Sequence, residues 1–137
     1  MMRPILLDTC ALIWLANKSP MRGEAQTALA EVDHQPGGIV VSPISAWEIG
    51  QLVARGRLVL MAEPLLWFRG ALSAGLALAD MPPEVLVASS YLPGGRLRDP
   101  ADRIIAATAR AFSYRLMTRD APLLEFGDLG HLQAIAC

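Results

Sequence analysis

Lysine is almost missing from this chain: Lys18 is the only one among 137 residues. No Gly-x-x-x-x-Gly-Lys occurs, so a P-loop nucleotide site and lysine Schiff-base chemistry are both excluded. Histidine is nearly as scarce. His34 and His131 stand in no recognisable spacing with the acidic residues, which argues against a Ser-His-Asp hydrolase. The two cysteines, Cys10 and Cys137, lie at opposite ends of the sequence without flanking ligands, so neither a zinc site nor a disulfide framework is indicated. Cys10 is expected to be a small buried packing residue. Long apolar runs are missing as well. The longest stretch free of charge, Gln35 to Trp47, has 13 residues and contains Pro36 and Pro43. A bilayer crossing needs about 20 apolar residues. The apolar start Ile5-Leu6-Leu7 is cut by Asp8 with no cleavage site after it, and a cytoplasmic location is expected. Net charge is −1, so the molecule as a whole is not a basic nucleic-acid binder.

What is present is a slightly oily globular composition, 53% hydrophobic with 18% charged residues. A chain of this length makes one domain, 1–137, burying about 68–70% of its unfolded surface. Arg3 to Leu7 reads as a buried strand, and Asp8-Thr9 as the cap of a helix from Cys10 to Asn17. A second helix is expected over Gly23 to Val32, a strand over Ile39 to Val41, and a third helix from Ser42-Pro43 to Arg55, stopped by Gly56. Then come a helix from Glu63 to Ala74, a strand from Leu76 to Met81, and a helix opened by Pro82-Pro83 and closed by Pro93-Gly94-Gly95. Asp99-Pro100 opens a sixth helix to Tyr114, Arg115 to Thr118 is a strand, and Ala134 to Ala136 is a last short strand. Such alternation predicts an α/β fold, a parallel sheet with helices on both faces.

Four acidic residues stand within or beside apolar segments: Asp8, Glu48, Asp102 and Asp120. Asp8 and Asp120 fall just after predicted strands; Glu48 and Asp102 fall near the starts of predicted helices. In parallel sheets, ligands collect beyond the carboxyl ends of the strands, so all four can meet at one rim. Clustered carboxylates repel one another and resist desolvation, and a divalent cation with oxygen ligands relieves both. Each acid also has an ordinary reading. Asp8 can cap the first helix, Glu48 can close a capping box with Ser45, and Asp120 can be a turn residue before Pro122. Asp99 and Asp102 compete for the cap of the sixth helix. The spacing of Asp102, Ile105, Ala109 and Phe112 turns Asp102 inward and leaves Asp99 as the cap. From Arg96 to Arg119 there are six arginines against Asp99 and Asp102, a surplus available to phosphates or to ordinary salt pairing.

The strings Leu7-Asp8-Thr9, Trp47-Glu48-Ile49, Arg98-Asp99-Pro100-Ala101-Asp102-Arg103-Ile104-Ile105 and Thr118-Arg119-Asp120 occur in that order. In this the chain resembles the PIN-domain nucleases, above all the VapC-type toxins of toxin–antitoxin pairs, over nearly its whole length. The resemblance implies a three-layer α/β/α sandwich with a short central parallel sheet. It also implies a Mg²⁺- or Mn²⁺-dependent endoribonuclease. Asp8 and Asp102 would bind metal most directly, Glu48 and Asp120 would act through water or at a second ion, and Thr9, Asp99 and Thr118 would be accessory. Arg98, Arg103 and Arg119 are candidates to position RNA. The implied partners are a structured RNA such as tRNA or rRNA, a VapB-type antitoxin lying in an apolar groove that Trp14, Trp47 and Trp67 are suited to line, and a second copy of the chain. Two other readings are a DNA- or flap-directed nuclease of the same fold and a silent RNA- or protein-binding module. An aspartyl-nucleophile phosphatase is disfavoured because position 10, two after Asp8, carries no acid.

Overall fold

The computed structural model describes residues 2–137. Its sheet is built from β1 (Ile5–Leu7), β2 (Ile39–Val41), β3 (Ala77–Leu78), β4 (Arg115–Thr118) and β5 (Gln133–Ala136), in the order β3-β2-β1-β4-β5. Every pairing is parallel: Leu6 of β1 lies opposite Val40 on one side and Leu116 on the other. Connections must therefore cross over, and seven helices make them: α1 (Thr9–Ala16), α2 (Gly23–Val32), α3 (Pro43–Ala54), α4 (Pro64–Ser73), α5 (Pro83–Ala88), α6 (Pro100–Phe112) and α7 (Ala121–Asp128).

The two-residue period of a strand sorts the core into two layers. Ile5, Leu7, Val41, Met117 and Ile135 face one side, where Leu12 of α1, Val32 of α2, Ile49 of α3 and Phe68 of α4 cover them. Leu6, Val40 and Leu116 face the other side, against Ile105 and Ala109 of α6 and Leu123 and Phe126 of α7. The central strand β1 is wholly buried, which is why it carries no alternation of polar and apolar residues. The α/β/α sandwich expected from the sequence is the observed architecture.

Three boundaries differ. The edge strand β3 is only two residues long, because its partner β2 ends at Val41, where Ser42 caps α3 and leaves nothing further to pair with. Helix α5 stops at Ala88, well before the Pro93-Gly94-Gly95 turn. Helix α7 was not expected: Asp120 caps it and Pro122 sits in its first turn, where a missing N–H costs nothing. The α6-to-β4 turn is made by Ser113 in the left-handed region at φ 57°, with its N–H bonded to the Ala109 carbonyl.

Candidate active site

At the carboxyl-terminal rim of β1 and β4, a pocket of about 230 Å³ is lined by Asp8, Thr9, Cys10, Glu48, Asp99, Asp102 and Asp120. All four acids singled out by sequence are there, and Asp99 makes a fifth. Asp8 leaves β1 and caps α1: its Oδ1 accepts from the Ala11 N–H at 2.7 Å. Its Oδ2 accepts from the Thr118 hydroxyl, the last residue of β4. The same Thr118 oxygen accepts the Asp120 backbone N–H at 3.0 Å, so one fully buried hydroxyl ties the Asp8 carboxylate to the main chain at Asp120. Asp120 in turn caps α7 through a long 3.4 Å contact from the Leu123 N–H.

Glu48 is oriented from below. The Thr9 hydroxyl donates to Glu48 Oε1. Since Thr9 has a single hydroxyl proton, the 2.9 Å contact between Thr9 and Ser45 must be donated by Ser45. A buried relay Ser45→Thr9→Glu48 therefore holds the carboxylate. Ser45 is thus not the capping residue of α3; Ser42 is, through its bond from the Ile44 N–H at 3.1 Å. Asp99 caps α6 by accepting from the Asp102 N–H at 3.0 Å, which leaves the Asp102 carboxylate without cap duty.

The electrostatics follow from this crowding. Burial raises the pKa of Asp8, and Asp120 adds repulsion; the bonds from Thr118 and Ala11, and the nearby Arg119 charge, act against the rise. Glu48 is raised by burial and by Asp99 and Asp8, offset in part by the Thr9 bond. Asp102 has least compensation. Burial first, then Asp99, Asp120, Glu48 and Asp8, push it up to about 8. A hard dication is the natural counter-charge for such an oxygen donor set, so the residues fit Mg²⁺ or Mn²⁺ in kind. Among the described residues no three of these side chains close into a ready-made ligand cage; the carboxylates stand around the pocket rather than on one point.

Cys10 corrects an expectation. It is exposed at the pocket rim rather than packed in the core, because Thr9 takes the inward position at the start of α1. Its thiol is pushed up to about 11, by burial of the sulfur first and then by Asp8, Glu48, Asp102 and Asp120. The arginines divide. Arg119 lays its guanidinium over the Trp14 ring at 3.3 Å from the centroid, beside the pocket. Arg103 donates to the Leu97 carbonyl, and Arg98 is exposed ahead of α6. The ion pairs among the described residues are Arg96–Glu125 and Arg115–Glu31, so neither Arg103 nor Arg119 is a salt partner of the site acids. Of the three tryptophans, Trp14 and Trp67 pack partly against the core, whereas Trp47 is 56% exposed.

The sequence profile of the PIN domain matches residues 5–129, which spans every element that contributes to this pocket. The chain belongs to the PIN domain family. Among curated proteins, it is 31% identical over 123 residues to Ribonuclease VapC22 of Mycobacterium tuberculosis, covering 89% of this chain and 91% of that protein. Solved structures of the same fold include a chain of DNA-bound VapBC from Salmonella typhimurium, with a TM-score of 0.67, 17% identity and coverage of 98% of both chains. A chain of the Rickettsia felis VapBC2 complex bound to a promoter DNA fragment gives a TM-score of 0.66 at 18% identity, covering 96% of this chain and 97% of that one. PAE2754 from Pyrobaculum aerophilum gives 0.62 at 20% identity, covering 98% and 89%. This PIN domain thus sits, as the resemblance implied, among VapC-like proteins, with its five acids at one rim.

Proposed function

We propose that this PIN domain is a Mg²⁺- or Mn²⁺-dependent endoribonuclease and the toxin of a type II toxin–antitoxin pair. The observation that carries the reading is the convergence of Asp8, Glu48, Asp102 and Asp120 on one pocket, with Asp102 raised to about 8 by burial and by its acidic neighbours. Such a set is costly without a cation and well matched to one. The similarity to a protein named as a ribonuclease supports RNA as substrate.

Asp8 and Asp102 are the residues that would hold the ion, with Glu48 and Asp120 reaching it through water or completing a second position. When bound, the ion would supply positive charge at the scissile phosphate and acidify the attacking water. Thr118 orients the Asp8 carboxylate and anchors the Asp120 backbone, and the Ser45–Thr9 relay keeps one Glu48 oxygen engaged while the other is free to take a proton from water. Arg119, held over the Trp14 ring beside the pocket, is the arginine placed to meet an RNA phosphate, with exposed Arg98 and with Arg103 of α6 as further candidates. The substrate is read as a structured RNA such as a tRNA or an rRNA loop.

A VapB-type antitoxin is the proposed partner, since the structural relatives are VapBC complexes. An apolar groove of about 340 Å³ between α1, α2 and α4, lined by Leu12, Leu15, Leu29, Ala71 and Leu76, suits an antitoxin segment; Trp14, Trp47 and Trp67, expected to line such a groove, lie outside its lining. A homodimer, a toxin–antitoxin hetero-oligomer and a cytoplasmic location belong to the same reading. Among the described residues no helix is long and apolar enough to cross a membrane. The test is cleavage of a total-RNA pool by antitoxin-free protein in Mg²⁺, Mn²⁺ or EDTA, against Asp8→Asn. Discrete, metal-requiring fragments that vanish in the variant support the reading. Absence of cleavage, or cleavage of DNA in its place, rejects it.

A further inference from the structure

The acid pocket has a neighbour that the chemistry above does not use. A second opening of about 260 Å³ is lined by Trp47, Glu48, Gln51, Leu52, Arg55, Arg57 and Asp99. Glu48 and Asp99 line both cavities, so the two lie side by side with these acids between them. Trp47, Gln51 and Arg55 recur every four residues along α3, which places them on a single face of that helix. Gly56, at φ 71°, reverses the chain and brings Arg57 to the same opening. Core packing does not explain Trp47: an indole 56% exposed beside a candidate active-site acid leaves a large apolar face to solvent.

We propose that this second opening is a nucleobase subsite for a single-stranded nucleotide next to the scissile phosphate. It rests on the RNA-cleavage reading above. Trp47 supplies the stacking face, the Gln51 amide meets a base edge, and Arg55 and Arg57 meet the backbone phosphate. The combination of an exposed aromatic with arginines along a groove is the recurring solution for single-stranded RNA, because every base has a π face and every linkage a negative charge. Glu48 then separates the stacked base from the reacting phosphate, so the subsite selects which linkage enters the acid pocket.

The test is binding, separated from cleavage. Asp102→Asn protein is titrated without metal against fluorescein-labelled 12-mers of U or A, and against a 12-mer of the same length made of abasic ribose phosphates. Adding Trp47→Ala is expected to weaken binding to the base-bearing 12-mers by roughly 5- to 150-fold, the range of one lost base–aromatic stack. Trp47→Phe should recover most of the loss, and the abasic 12-mer should bind both proteins alike. Arg55→Ala with Arg57→Ala should weaken all three oligomers and flatten their salt dependence. Equal binding by the Trp47→Ala protein, an equal loss on the abasic oligomer, or no binding of any 12-mer overturns the subsite. Loss of a dimer in sedimentation on Trp47→Ala, with binding per protomer unchanged, assigns the indole to a protein contact and also overturns it. Total-RNA cleavage by the unsubstituted protein judges the nuclease reading independently of all these outcomes.

Discussion

Replacing Asp102 by Asn should make the metal-free protein more stable and the metal-loaded protein less so. In the unfolded chain an aspartate ionises near its ordinary 3.8, whereas in the fold Asp102 is held up to about 8. The folded state thus binds more protons than the unfolded one across that window, and stability falls as pH rises through it. At pH 7 about three pH units of ionisation favour the unfolded chain, about 4 kcal/mol at 1.36 kcal/mol per unit. The pocket is open to solvent on one side, and screening cuts this to about 1–2 kcal/mol. Asparagine keeps the shape of the protonated carboxyl and carries none of that cost. The expected gain in melting temperature in EDTA at pH 7 is roughly 3–8 °C. Because the sign depends on ionisation, the gap should vanish below about pH 4, widen up to about pH 8 and stay flat beyond.

A divalent ion reverses the order. Wild type should gain about 2.7 kcal/mol at a hundredfold excess of ion over Kd, while the variant, missing a ligand, gains little. Melts followed by circular dichroism at pH 5, 7 and 8.5, with EDTA or Mn²⁺, read both effects. If Asp102→Asn melts below wild type in EDTA at pH 7, or if the gap does not widen with pH, the electrostatic account of the pocket is wrong.

Three further expectations come from the packing around the site. Thr118→Val keeps the shape but strips the buried bonds to Asp8 and Asp120; urea unfolding should show a loss of about 1.5–3 kcal/mol, and a change below about 0.5 kcal/mol would contradict the role given to that hydroxyl. Gly38→Ala and Gly50→Ala should differ in sign. A Cβ at Gly38 would collide with the Val32 backbone carbonyl and destabilise by about 1–3 kcal/mol, whereas one at Gly50, inside α3 with open space around it, should stabilise by about 0.5–1 kcal/mol. The Cys10 thiol, raised to about 11, should alkylate slowly with iodoacetamide at pH 8 despite its exposure and faster once Mn²⁺ neutralises the acids, a change that intact-mass spectrometry resolves.

How far the sequence foretold this depends on how local each signal was. Asp99-Pro100, Ser42-Pro43 and the runs Ile5–Leu7 and Ile39–Val41 carry their structure within a few residues, and the elements stand where those signals put them. Helix α7 had a signal too, Asp120 followed by Pro122, but one proline also marks a turn and the helix is only eight residues long. At the site, the four acids were legible because each ends or interrupts an apolar segment. Ser45 was not: its partner Thr9 lies 36 positions away, and only the fold brings the two hydroxyls together. The stacking of Arg119 on Trp14 and the outward turn of Trp47 and Cys10 are likewise consequences of helix placement, which no local spacing encodes.

The ordinary and the functional readings of these acids prove not to be rivals. Asp8, Asp99 and Asp120 all cap helices that begin at the carboxyl-terminal rim of the sheet. A carboxylate offers about four lone-pair positions, and capping takes one. Asp8 spends one oxygen lone pair on Ala11 and another on Thr118, which still leaves two for an ion, and those bonds fix where the free ones point. A cap is therefore a cheap way to hold a charged ligand rigid: the helix supplies a backbone N–H near its own positive end, and the side chain cannot rotate without losing it. Asp102 and Glu48 are the two members outside this scheme, one held by no side-chain bond and the other by a hydroxyl relay. If rigidity matters to the reaction, breaking that relay should act on turnover more than on fold. Ser45→Ala leaves Thr9 still able to donate to Glu48 but unanchored. The expected result is a several-fold drop in kcat for RNA cleavage with KM unchanged and a stability loss near 1 kcal/mol. An unchanged kcat would show that the Glu48 orientation is set by the helix alone.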